Sequence, residues 1–243
     1  MTTPQLTYIV PVHNEAATLA STIQRLDDAR ARYAIQHIVA VENGSVDDTW
    51  PLLEELAPRY PALLAFREPS AGIGYAYHRG LSEALALDLT GEHYLVLTAC
   101  DLPFGFTDVE SMLALPERPP VCIGSKAKLV GSTVPSLKRR TMSAAYQLAR
   151  RWLIGMHTRD SQGSFIIRAD IAREFVDRVQ ARDFFYTTEL CALMERDRIR
   201  PVEVDVELQE ERRRSSVRPL AHGAALFRQL LQLRRRLRGS HAA

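Results

Sequence analysis

The chain has 243 residues, 46% of them hydrophobic and 25% charged, with a formal net charge of +2. That length suits one large domain or two small ones, and the composition is that of an ordinary globular protein. A charge so near zero gives no electrostatic reason to expect nucleic acid as a partner.

From the N-terminus, short apolar runs alternate with helical patterns. Residues 6–10 read as a buried strand ended by Pro11, and Ala16, Leu19, Ile23 and Leu26 give helical spacing across 15–29. Residues 38–41 are a second, β-branched strand, followed by the turn Glu42-Asn43-Gly44-Ser45. A helix is expected over 47–60 and a third strand over 63–66. A glycine loop over 72–80 then leads into a helix through Leu81, Leu85 and Leu89, and residues 94–97 form a fourth strand. Strands alternating with helices predict an α/β fold, a mostly parallel sheet flanked by helices. Farther on, strands are expected at 121–124, 164–167 and 202–206, and an amphipathic helix at 142–153. No repeat or low-complexity linker interrupts the pattern. One domain over 1–220 is expected, divided into halves at 115/116, with a separate C-terminal helix and tail over 221–243.

That C-terminal segment is distinctive. Leu226, Leu230, Leu233 and Leu237 follow i, i+4, i+7, i+11, while Arg228, Arg234, Arg235, Arg236 and Arg238 supply a basic side. A basic amphipathic helix of this kind suits an anionic membrane surface, or docking on the domain or on another copy. Cys100, Cys122 and Cys191 make no metal or disulfide spacing and are expected as buried small hydrophobes in a reducing compartment. The N-terminal stretch lacks a basic region followed by a long apolar run, and no run of about 18 apolar residues occurs. Neither a signal peptide nor a membrane span is expected, and a cytoplasmic location follows.

In an open α/β sheet, ligands bind beyond the C-terminal ends of the strands. Polar turns fall there: His13-Asn14-Glu15, Glu42 to Ser45, and Asp101. Such turns suit a nucleotide sugar, whose base and ribose need carboxylates or amides and whose diphosphate needs cations or backbone dipoles. Asn14, Glu15 and Glu42 are candidates for base and ribose. Gly44 and Ser45 permit a tight turn beside the ligand. Gly74 would allow close backbone approach, and His78 and Arg79 would reach the diphosphate. A lone GxG is by itself more often a turn than a site.

The segments YIVPVHNEAATLASTI, VENGSVDDT, SAGIGYAYHRGL and CDLPF stand in the order and spacing of glycosyltransferase family 2, and the chain resembles that family. IGSKAK, RRTMSAAY, DSQGSFIIR, TTELCALMER and RRRSSVRPL look like later motifs of its polyprenyl (dolichyl)-phosphate mannosyl- and glucosyltransferases. The resemblance implies a GT-A, Rossmann-like fold and an inverting hexosyl transfer from a nucleoside diphosphate sugar to polyprenyl phosphate, at the inner face of the cell membrane. It implies donor contacts from Pro11, Asn14, Glu15, Glu42, Gly44, Ser45, Gly74, Arg79 and Asp101. Acceptor contacts would come from Lys126, Arg139, Ser143, Asp160 and Gln162. Asp101, Arg139 and Glu189 would be catalytic.

Two departures bear on mechanism. The usual D-D-G-S reads Glu42-Asn43-Gly44-Ser45, and the usual D-x-D reads Ala99-Cys100-Asp101. Asp101 is therefore the remaining metal candidate, for Mg²⁺ or Mn²⁺ held through waters and the diphosphate. The alternative is neutralisation of the diphosphate by Arg79, Lys126 or Arg139 without metal. Thr187 stands where a relative would carry Asp, which matters less for a phosphate acceptor, already ionised and in need of no base. A soluble or glycan acceptor, or a silent binding protein, are the other readings.

Overall fold

The computed structural model describes residues 3–129, 137–209 and 219–239, with side chains over 3–125, 144–209 and 226–238. The first half builds β1 (Gln5–Val12), α1 (Ala16–Asp28), α2 (Arg30–Tyr33), β2 (Ile35–Asn43), α3 (Thr49–Leu56), β3 (Leu63–Glu68), α4 (Ile73–Leu85) and β4 (His93–Leu97). The rest adds α5 (Thr107–Leu113), β5 (Val121–Leu129), α6 (Leu137–Ile154), β6 (Ser164–Arg168), α7 (Ala169–Phe175), α8 (Tyr186–Arg196), β7 (Val202–Val206) and α9 (Pro219–Gly239).

The seven strands lie in the order β3-β2-β1-β4-β6-β5-β7. β1 to β4 are mutually parallel, β6 runs antiparallel to β4 and β5, and β7 is parallel to β5. Central strands buried on both faces read as continuous apolar runs rather than alternating ones. Alternate residues nonetheless enter different cores. Ile9, Val39, Val41, Leu95 and Leu97 pack with α4, α7, α8 and α9, whereas Tyr8, Val10, Ile38, Ala40 and Val96 pack with α1, α3 and α5. This is the expected mostly parallel, helix-flanked α/β sheet.

Three local expectations change. Pro11 does not end the first strand: β1 continues to Val12, with Pro11 opposite Val41 of β2. Pairing with β4 stops at Ile9, so the missing N–H of Pro11 faces no neighbouring strand there. The expected glycine loop over 72–80 is mostly helix, since α4 begins at Ile73. Gly74 and Gly80 are kept inside it by packing: a Cβ on Gly74 would lie 2.4 Å from the Arg182 carbonyl carbon, and one on Gly80 2.4 Å from Ile9 Cγ2. Close approach outweighs the roughly 1 kcal/mol by which glycine disfavours a helix.

The third concerns α9. Leu230 and Leu233 are fully buried in the same core as β1 and β4, with Leu226 and Leu237 packed against it. The leucine stripe faces the domain, so docking takes up the apolar side offered to a membrane in the sequence reading. The expected boundary at 220/221 falls within the first turn of α9.

Candidate active site

The ends of β1 and β2 are tied into one surface. Asn14 takes a left-handed backbone conformation (φ 54°), which asparagine tolerates better than most residues. Its backbone N–H donates to Ser45 Oγ at 3.0 Å, and its Oδ1 accepts from Val46 N–H at 2.9 Å. The Glu15 N–H donates to Thr49 Oγ1 at 2.8 Å, which links the start of α1 to that of α3. Glu42 is fully buried, accepting from Ser45 N–H at 2.5 Å and from Arg67 Nε at 3.1 Å. Asn43 Oδ1 is buried without a partner among the described residues. Gly44 (φ 71°) turns the chain where a Cβ would crowd Ala71, bringing the 69–72 loop against the same surface. Pro11 is buried at the base.

The C-terminal end of β4 opens into a cavity of about 130 Å³. Its floor and sides include Ile73, Tyr77, Thr98, Ala99 and Pro103 from the first half, and Gln162, Asp183, Phe184, Tyr186 and Thr187 from the second. Tyr77 is buried, its hydroxyl donates to Thr98 O at 3.3 Å, and burial raises its pKa, so it stays neutral. The Tyr77 and Tyr186 rings pack at 6.1 Å between centroids. Asp101 is exposed on the turn following β4.

Gln162 reaches this cavity on a fixed support. Its Nε2 donates to Phe184 O at 2.9 Å and to Thr188 Oγ1 at 3.3 Å, while its N–H donates to Asp160 Oδ1 at 3.0 Å. Behind it, Arg150 is buried on α6 and donates to Ser161 Oγ and Arg159 O, both at 2.6 Å. Ser161 in turn meets Thr188 Oγ1 at 2.8 Å. Asp160 thus shapes the turn that presents Gln162.

Several expected site residues stand elsewhere. Arg79 pairs with Glu83 at 2.7 Å and lies over the Phe66 ring, beside β3. His78 faces Arg182 and Asp177, and burial followed by the Arg182 charge lowers its pKa. Gly74 packs on the 182–183 backbone, although its neighbour Ile73 lines the cavity. Glu189 is fully buried, accepts from the N–H groups of Gln180 (3.2 Å) and Ala181 (2.8 Å), and pairs with Arg236 at 2.7 Å. It borders a second cavity of about 640 Å³ against α9 rather than the one at β4. Lys126 falls on β5, and Arg139 and Ser143 on α6, but their side chains lie outside the described residues.

Among the described residues no group of three or more His, Cys, Asp or Glu is arranged to hold a metal ion. A hard divalent cation takes six or more oxygens. Ala99 has no side-chain oxygen to offer, and Asp101 stands exposed on the next turn.

Sequence reasoning passed over Asp183, Phe184 and Tyr186, which line the cavity. The run RDFFYTTEL offers no periodic or motif signal that separates them from core residues, and the signal is purely spatial.

A family model described as Glycosyl transferase family 2 matches residues 7–175. Dolichol-phosphate mannosyltransferase from Pyrococcus furiosus is 30% identical over 95 residues, 39% of this chain and 25% of that protein, so the match spans a quarter of the relative. Solved structures of glucosyl-3-phosphoglycerate synthase from Mycobacterium tuberculosis share the fold. The complex with Mn²⁺, UDP and glucosyl-3-phosphoglycerate gives a TM-score of 0.59 at 19% identity, covering 95% of this chain and 78% of that one. The complex with Mn²⁺, UDP-glucose and phosphoglyceric acid gives 0.61 at 19% identity, covering 95% and 79%.

Proposed function

The chain belongs to glycosyl transferase family 2, and from that premise we propose that it moves a hexose from a nucleoside diphosphate sugar onto the phosphate of a polyprenyl phosphate, with inversion. The observation that carries this is the cavity at the end of β4, where Thr98 and Ala99 of the donor half face Gln162, Asp183 and Thr187 of the other half. Base and ribose lie on the loops of Asn14 and Ser45, which the buried Glu42 anchors through Ser45 N–H, and the diphosphate on the Asp101 turn. A divalent ion bound there with the donor would offset charge developing on the leaving diphosphate.

An acceptor phosphate oxygen attacks the anomeric carbon from the face opposite the diphosphate. The new C–O bond forms as the bond to the diphosphate breaks, and nucleoside diphosphate leaves with the electron pair. No proton needs to move, because the attacking oxygen is already ionised. The protein's work is alignment and electrostatic stabilisation. Neutral Gln162 and Thr187 suit hydroxyls of the sugar. Arg139 and Ser143, one turn apart on α6, are the proposed phosphate contacts, with Lys126 as a further cation, since arginine binds two phosphate oxygens at once.

Support for a lipid acceptor comes from α6 itself. Trp152 is 78% exposed and Leu148 57%, four residues apart on the helix that also carries Arg139 and Ser143. An apolar stripe on that helix would rest in the membrane interface. The proposed contact is peripheral; no helix among the described residues is long and apolar enough to cross a membrane. A second reading, a soluble phosphorylated acceptor, is favoured by the docking of the α9 leucines on the core.

The deciding experiment follows radiolabel from GDP-mannose and UDP-glucose, with Mg²⁺, Mn²⁺ or EDTA, into organic-extractable polyprenyl phosphate or into an aqueous phosphorylated acceptor. Label in the organic phase that disappears with Arg139→Ala supports the lipid reading. Label confined to the aqueous product overturns it.

A further inference from the structure

The C-terminal helix reaches across the molecule to the cavity wall. Arg236 Nη2 lies 2.7 Å from Glu189 Oε1, and the Glu189 carboxylate accepts the backbone N–H groups of Gln180 and Ala181. About two turns earlier on α9, Gln229 Nε2 donates to Asp183 Oδ2 at 2.8 Å, while Asp183 Oδ1 accepts from Phe185 N–H at 2.9 Å. Both tethers end on the 180–185 turn. That turn supplies Asp183 and Phe184 to the cavity, and its Arg182 carbonyl accepts from Tyr75 N–H at 3.2 Å. Gly72 and Gly74 leave room for this approach, a Cβ on either falling within 2.7 Å of the Arg182 backbone. The wall that holds Ile73 on one side and Asp183 on the other is therefore fastened from behind by α9.

We infer that Arg236 is a positioning residue for the transfer reaction: acting through Glu189, it fixes the 180–185 turn against the start of α4 and so sets the width of the cavity at β4. A fully buried carboxylate that loses its cationic partner is strongly destabilised. Its two amide bonds then hold a carboxylate free to shift, and the turn loosens. Lysine keeps the charge but not the planar fork of arginine. A turn that loosens by about 1 Å is enough to misplace reacting groups. Glu189 itself does not touch the cavity at β4, so its contribution to catalysis runs through backbone placement.

This inference rests on the β4 cavity being the transfer site. Its primary test, amide hydrogen exchange followed by mass spectrometry on the full chain, does not depend on turnover. In Arg236→Met, peptides covering 180–187 and 72–77 should exchange at least about 10-fold faster, with β1 and β4 unchanged, and Arg236→Lys should restore most of the protection. With a donor and acceptor the wild type uses, kcat should fall at least about 10-fold while the donor KM stays within about 2-fold. Leu26→Ala, in the opposite core, lowers stability without touching α9 and should change neither readout at the same temperature. If Arg236→Met does not fold, Arg236→Gln, which keeps a donor for Glu189 but not the charge, carries the test, with about 3-fold faster exchange expected in the same peptides. Unchanged protection at 180–187, an unchanged kcat despite faster exchange, or the same changes in Leu26→Ala would each overturn the inference. A wild type that transfers no sugar from any donor sinks the functional reading, and the exchange comparison still decides this one.

Discussion

The backbone N–H of Asn14 donates to the Ser45 hydroxyl at 3.0 Å, so the loop after β1 and the loop after β2 form one surface. The Asn14 amide oxygen returns the link through Val46 N–H. Asn14→Ala removes that acceptor and places alanine in a left-handed conformation, each costing about 1 kcal/mol. Nucleoside diphosphate affinity measured by calorimetry should fall about 5- to 10-fold, and Asn14→Gly, free of the backbone cost, should recover part of it. Equal losses in both variants would show that backbone conformation is irrelevant.

Glu42 holds Ser45 N–H and Arg67 together from a fully buried position. In Glu42→Gln the amide oxygen still accepts one bond, but the charge that faces Arg67 is gone. Urea unfolding should show a loss of about 1.5–3 kcal/mol, the range for hydrogen bonds to charged groups. Arg67→Met leaves the fully buried Glu42 carboxylate without its cationic partner and should cost at least as much, although Arg67 itself is 59% exposed. An Arg67→Met loss well below that of Glu42→Gln would contradict this assignment.

Ala99 lines the cavity two residues before Asp101. Ala99→Asp adds a second carboxylate there, and hard divalent ions bind more tightly as charged oxygens accumulate. Mn²⁺ titration by electron paramagnetic resonance, in the presence of UDP or GDP, should give at least about 10-fold tighter binding in the variant. Unaltered affinity would mean that residue 99 does not face the diphosphate.

His93 is buried on β4, with Nε2 at 2.9 Å from Thr7 Oγ1. Burial, with a smaller contribution from His37, lowers its pKa to about 4 from the usual 6.5. Above pH 6.5 folded and unfolded chains are both neutral at this position, and its contribution to stability is intact. As the pH falls from 6.5 toward 4 the unfolded chain takes up a proton that the folded one refuses, and up to roughly 3 kcal/mol is lost. Denaturant melts between pH 7 and 4.5 should show a flatter profile for His93→Gln than for the wild type. Parallel profiles would place the acid sensitivity elsewhere.

Trp152 and Leu148 present an apolar stripe to solvent. Burying each at a lipid interface is worth about 1.5–3 kcal/mol. Leu148→Ser with Trp152→Ser should therefore reduce co-sedimentation with anionic phospholipid vesicles by a factor of ten or more, with nucleotide binding unchanged. Equal sedimentation of variant and wild type would remove the main support for a lipid acceptor.

The first four strands, their order of appearance and the loops that end them were legible in the sequence. The reason is local: β-branched runs and i, i+3, i+4 spacing report burial within a single element. Polar residues after a parallel strand then fall on the ligand edge whatever the rest of the chain does. Asn14 and Ser45 stand on the loops after β1 and β2 for that reason. Arg79 and Glu189 do not, because each has a partner, Glu83 or Arg236, whose proximity motif order does not report.

The amphipathic stripe of α9 shows the limit most clearly. Its leucine spacing was plain from residues 226–237, and by itself that spacing fits a membrane, a partner or the domain equally well. Periodicity states that one face is apolar and not what covers it. What the sequence determined alone was the parallel first half and the placement of its polar turns, since both follow from short-range pattern. The antiparallel placement of β6, the docking of Leu230 and Leu233, and the bond between Gln229 and Asp183, 46 residues apart, were decided in three dimensions. Contacts at such separation depend on how whole elements pack, and that information resides in no single stretch of chain.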